Sequence, residues 1–213
     1  MFSLGITGGI GSGKSYICRL FAAKGIPVYD SDSRTKQLYN RDKELIIALS
    51  QFVGDDIIIQ KGGEISLNKP LFTEKIFNNP SLMERVKETL YPIVMSNFRR
   101  WRGAQQRLMT MGKRQIPFVV FESAVILENP LVMRDLDMVI TIEADVELRV
   151  KRIISRDGKE REEIMARMNS QWSDKQRREI ADMVIVSGDD KHVHSQVEQI
   201  YRRLCSAEYE HYK

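Results

Sequence analysis

The chain has 213 residues, 42% of them hydrophobic and 29% charged, the composition of a soluble globular protein long enough to bury a sizeable core. Its net charge is +4, but acids and bases are interleaved and no stripe of basic and aromatic residues forms, so no nucleic-acid partner is expected. The longest apolar run, residues 116–121, is far short of the ~20 residues of a membrane span. No leader precedes the first strand, and Cys18 and Cys205 have neither metal nor redox spacing, so the expectation is a reduced, cytoplasmic protein with no membrane or protein partner.

Phe2 to Thr7 reads as a short buried strand and Ser15 to Ala23 as a helix with apolar residues at Ile17, Leu20 and Phe21. Between them Gly8-Gly9-Ile10-Gly11-Ser12-Gly13-Lys14-Ser15 satisfies the pattern G-x-x-x-x-G-K-[ST] at every specified position. Glycines let a backbone wrap an anion with its N–H groups, and a helix start adds a positive dipole end. A nucleoside triphosphate is therefore expected along Gly9, Ile10, Gly11, Ser12, Gly13, Lys14, Ser15 and Tyr16. Lys14 is assigned to the β- and γ-phosphates and the Ser15 hydroxyl to Mg²⁺.

Gly25 ends that helix, Pro27 to Asp30 reads as a second strand, and a helix is predicted from about Ser33 to Tyr39. Ligands of a parallel sheet bind outside the carboxyl ends of its strands. Asp30 and Asp32, two apart in extended chain, are expected to face that crevice, where a phosphoryl acceptor needs a carboxylate to take its proton. Residues 41–52, 67–77 and 81–111 read as helices, joined by a turn-rich connection over 54–63. Arg99, Arg100 and Arg102 around Trp101 read as a solvated helix face.

Residues 116–121 form the clearest buried strand, ending in Glu122, a carboxylate expected near the Mg²⁺ through water; Glu128 follows in a loop. Residues 138–142 and 182–186 complete five parallel strands. Arg149, Arg152 and Arg156 fall on one helix face, and residues 149–178 carry ten Lys/Arg against five Asp/Glu, more net charge than the whole chain. That concentration predicts a lid over phosphates. The turn at Ser187-Gly188-Asp189 is expected to meet the adenine, and a last amphipathic helix runs from about Lys191 to Ala207. His192 and His194, two apart, do not share a helix face and read as surface residues.

The prediction is thus an α/β chain with a five-stranded parallel sheet flanked by helices. The core comprises 1–40, 113–148 and 179–213, with a helical acceptor-binding insertion over 41–112 and a lid over 149–178. A guanine switch is disfavoured because Asn68-Lys69-Pro70-Leu71 lacks the guanine-reading Asp, and a nucleic-acid ATPase needs a basic groove that is absent here. Another small acceptor, such as a nucleoside monophosphate, would use the same chemistry.

Nearly the whole chain resembles the dephospho-CoA kinase family. The resemblance is carried by Gly5 to Ser15, Gly25 to Asp32, Phe121 to Glu128, Arg149-x-x-Arg152-x-x-x-Arg156-Asp157, Gln171 and Ala181 to Ile185. It implies a P-loop kinase fold and ATP-dependent phosphorylation of the ribose 3′-hydroxyl of dephospho-CoA. It further implies Asp32 as base, Arg149 and Arg152 as nucleotide-binding residues, and acceptor contacts from Asp32, Glu122, Glu128 and Tyr91. Asp30 and Glu122 are candidate Mg²⁺ residues through water. Departures from the family pattern are Asn68-Lys69 in place of Asp-Arg, Tyr91 in place of His before Pro92, Glu122 in place of Asp, and Ser187 in place of Asn.

Overall fold

The protein is described by a computed structural model over residues 1–77, 79–188 and 190–206. Strand β1 (Phe2–Gly8) leads through the glycine loop into α1 (Lys14–Ala23), and β2 (Val28–Asp30) leads into α2 (Ser31–Arg41). Next come α3 (Lys43–Val53), β3 (Ile58–Lys61), β4 (Glu64–Leu67), α4 (Lys69–Phe77) and the long α5 (Pro80–Thr110). They are followed by β5 (Phe118–Glu122), the short α6 (Pro130–Met133), β6 (Met138–Glu143) and α7 (Val146–Asp157). The chain closes with α8 (Arg161–Asn169), α9 (Asp174–Ile180), β7 (Met183–Val186) and α10 (Asp190–Cys205). Residues 1–30 with 100–213 make one compact unit and residues 31–99 another.

The first unit is built on a parallel sheet of order β2-β5-β1-β6-β7. Every residue of β5 is buried, as a central strand covered on both faces requires. Leu4, Ile6, Phe118, Val120, Ile140, Ile142 and Ile185 point to one face, where Ile17, Cys18 and Phe21 of α1 and Val193, Val197 and Ile200 of α10 cover them. The Phe21 ring meets Phe118 edge-on, 5.9 Å between centroids. Burying a side chain of that size contributes about 1.5–3 kcal/mol. The amphipathic period that predicted α10 is therefore the period of its contact with the sheet. Ala207, the expected end of that helix, lies outside the described residues.

Strand starts are pinned by carboxylates. Asp137 accepts from Ser3 N–H at 2.7 Å, and Asp182 from Val139 N–H at 2.7 Å. Arg102, expected on a solvated face, belongs to this set. Its Nη1 donates to Ser3 Oγ at 3.0 Å and to the Asp135 carbonyl at 3.0 Å, while Trp101 packs edge-on against Tyr29. A helical wheel reports the direction of a side chain but not its reach, and a long guanidinium can lie over apolar surface while its head bonds elsewhere.

The second unit has its own core, with Leu45, Ile46 and Leu49 of α3 against Ile57, Leu67, Phe72, Val86 and Leu90. It is not wholly helical. The stretch read as a turn-rich connection folds into an antiparallel hairpin in which Ile58 pairs with Leu67 and Lys61 with Glu64. Gly62 and Gly63 both have positive φ, 57° and 81°, the conformation a two-residue hairpin turn demands.

Candidate active site

The glycine loop ends where α1 begins, with Tyr16 N–H and Ile17 N–H donating to the Gly13 carbonyl. Helices α3, α7 and α9 have side-chain caps, Asp42, Asp145 and Ser173 accepting first-turn amides. α1 has no side-chain cap and no acid in its first turn. Its dipole end is thereby reserved for an external anion. Lys14 Nζ donates to the Gly8 carbonyl at 3.0 Å, within the loop's own curve. A cavity of about 370 Å³ opens against Gly11, Gly13, Lys14, Ser15 and Tyr16, with Arg152 on its wall.

Oxygen donors gather at the carboxyl end of the sheet. Asp30 of β2 is in register with Glu122 of β5, which is in register with Ile6 of β1. The Glu122 carboxylate is 8% exposed and accepts a 3.0 Å hydrogen bond from Ser15 Oγ. Burial first, then the Glu122 charge, pushes the thiol of Cys18 behind it well above the usual range. Both cysteines are free thiols. A hydroxyl with carboxylates suits a hard cation such as Mg²⁺. Among the described residues no cluster of three or more His, Cys, Asp or Glu could hold a metal unaided, so ligand phosphates and water would complete its shell.

The basic segment folds onto the glycine loop. Arg149 Nε donates to the Ile10 carbonyl at 2.9 Å, and the Ile10 N–H, expected to face phosphate, donates to Gln171 Oε1 at 2.8 Å. Both polar groups of the Ile10 peptide unit ends are thus held by this segment. Arg152 donates to the Ser12 carbonyl at 3.2 Å and to Ser187 Oγ at 3.0 Å, so it ties the loop to the end of β7. Arg156 is exposed and paired with Asp157. Asp189, part of the expected adenine turn, lies outside the described residues.

Two arginines are buried at Gly9. Arg149 is 6% exposed and Arg177 2% exposed. Asp174 stands between them, accepting from Arg149 Nη1 at 3.3 Å and Arg177 Nη1 at 3.4 Å. Burial pulls both guanidinium pKa values down and Asp174 opposes the shift. A Cβ on Gly9 would sit 2.2 Å from Arg149 Nη2 and 3.0 Å from Arg177 Nη2, so a larger residue there would push the guanidiniums aside. Arg177 was counted in the basic run without a role. Its signal was Ser173-x-x-Gln176, a capping box that starts α9 and carries the next residue inward. Glu128, exposed on the loop after β5, lies close enough to act on the Arg177 charge.

Asp32 and Tyr91 belong to the second unit. Asp32 is exposed in the first turn of α2, because the strand stops at Asp30 and the helix begins at Ser31. The extended alternation used to pair Asp30 with Asp32 therefore ends before Asp32. Tyr91 is half-buried in α5; burial first, and Tyr91 second, push Tyr39 up to about 12.

A strand, glycine loop and uncapped helix on a parallel sheet, with a basic segment clasping the loop, define a P-loop kinase. The dephospho-CoA kinase family description matches residues 2–192. A dephospho-CoA kinase of Bacteroides fragilis is 33% identical over 211 residues, covering 96% of this chain and 97% of that one. One from Mannheimia succiniciproducens is 34% identical over 189 residues, covering 89% and 82%. The chain belongs to the dephospho-CoA kinase family. Solved structures sharing the fold include TT1252 from Thermus thermophilus, with TM-score 0.75, 23% identity and coverage of 97% and 98%. A dephospho-CoA kinase from Campylobacter jejuni has TM-score 0.54, 19% identity and coverage of 95% and 96%.

Proposed function

We propose that this chain transfers the γ-phosphoryl group of ATP to the ribose 3′-hydroxyl of dephospho-CoA, giving coenzyme A and ADP, as a cytoplasmic enzyme. Family membership supports the reaction, and the observation that carries its chemistry is the Ser15–Glu122 hydrogen bond at the mouth of an uncapped glycine-loop helix. The loop amides and the α1 dipole hold the triphosphate, and Lys14 follows charge on the migrating group. Ser15, with Glu122 and Asp30 through water, would hold Mg²⁺, which when bound neutralises phosphate oxygens. Arg149 and Arg152 keep the loop in shape from the lid side. Asp32 takes the proton of the attacking hydroxyl, which is a weak nucleophile at neutral pH. Acceptor contacts are assigned to Tyr91, Glu122 and Glu128.

The test is an acceptor panel. Purified protein with ATP and Mg²⁺ should release ADP with dephospho-CoA and at most slowly with AMP. Equal or faster turnover of AMP would move the chain to the nucleoside monophosphate kinases.

A further inference from the structure

Arg177 is the largest of the fully buried side chains, an unusual place for a group that carries a permanent charge. Its Nη1 donates to the Trp172 carbonyl and to Asp174, but Asp174 is shared with Arg149. Two guanidiniums thus share the carboxylate of Asp174, with Glu128 and Glu143 adding smaller effects on Arg177. The Arg177 Nε is buried and has no hydrogen-bond partner among the described residues. A buried charged donor left without a partner is costly, on the order of 1–3 kcal/mol or more, unless a ligand completes it. What would complete it is an acceptor, and an anionic one suits a guanidinium best.

The direction of the group says which part of a ligand it meets. The cavity beside the loop is lined by Gly11, Gly13, Lys14, Ser15, Tyr16 and Arg152, between α1 and α7. Arg177 is not on that wall. Its Nη2 approaches Gly9, at the β1 end of the loop, together with Arg149 Nη2. A triphosphate lying along the loop with its terminal phosphoryl group toward Gly9 would meet both guanidiniums.

We propose that Arg177 is a catalytic residue of the transfer, a buried guanidinium that bonds the γ-phosphoryl oxygens and the charge they gain in the transition state. The inference rests on the reaction proposed above. Asp174 accepts from both guanidiniums, and a phosphoryl group bound there would share their charge. Charge-assisted bonds from arginine to phosphoryl oxygen are short, strong and directional. They act on the group being transferred, and ADP lacks it. Burial pulls both guanidinium pKa values down, and for Arg177 the Arg149 charge lowers it further.

The experiment compares wild type with Arg177→Lys and Arg177→Met for ATP affinity, ADP affinity and kcat with dephospho-CoA. Both variants should bind ADP within about two-fold of wild type, bind ATP about ten-fold more weakly, and lose roughly 10²–10³ in kcat. Lysine should recover only part of the loss, since it has no planar fork. Unchanged kcat in a folded variant, or an equal loss of ATP and ADP affinity, would overturn the proposal. Should both variants fail to fold, ¹⁵N-arginine NMR of the wild-type protein decides the matter. The Arg177 Nε–H resonance should move with a non-hydrolysable ATP analogue and stay with ADP; an identical response to the two nucleotides contradicts the assignment. Wild-type protein that fails to turn over dephospho-CoA would count against the reaction itself, whereas normal turnover by the Arg177 variants counts only against this residue.

Discussion

The hydrogen bond from Ser15 Oγ to Glu122 joins the first turn of α1 to the last residue of β5, positions separated by 107 residues of sequence. Each partner was legible separately, Ser15 from the loop pattern and Glu122 from its place after a continuous apolar strand. Arg102 and Arg177 were not legible, because composition registers the charge of an arginine and is blind to its burial. Asp32 belongs to a third kind: its assignment comes from the family resemblance, and the structure places it exposed in the first turn of α2. Asp32→Asn should lower kcat by about 10²–10⁴ and change ATP affinity little, since the glycine loop and Lys14 are untouched. Steady-state rates with a direct ATP-binding titration check this. Weaker ATP binding with near-normal kcat would move Asp32 to the metal site.

At the scale of elements, residues whose environment is uniform were read most securely. β5 and β6 are buried along almost their whole length, and α10 repeats one apolar face, so each announces its period. The hairpin of β3 and β4 does not, because most of its residues are exposed and the strands are four residues each. Only Gly62-Gly63 marked it. The basic segment was read from charge alone, and its three helices carry different tasks: α7 supplies Arg149 and Arg152, α8 packs Ile164 against Val150 and Ile153, and α9 supplies Arg177. Its clasp on Ile10 uses few hydrogen bonds, the type of local closure that opens well below global unfolding. ATP should therefore slow hydrogen exchange in residues 161–180 more than in residues 197–204 of α10. Equal protection in both stretches would argue against a segment that closes on nucleotide.

For the molecule as a whole, one chain interleaves two compact units, and the loop, Asp30, Glu122 and the buried arginines all belong to the unit of residues 1–30 and 100–213. Asp32 and Tyr91 belong to the unit of residues 31–99, which starts directly after β2. The net charge of +4 has a local origin, since the segment over residues 149–178 is strongly basic and the remainder is close to neutral. Such a field favours polyanionic substrates. The most direct test of the central claim is the position of the transferred phosphate. With ATP, Mg²⁺ and dephospho-CoA, ³¹P NMR should show one new phosphomonoester on the ribose 3′-carbon for each ADP formed; ADP without that phosphomonoester, or phosphate on a different hydroxyl, would contradict the account.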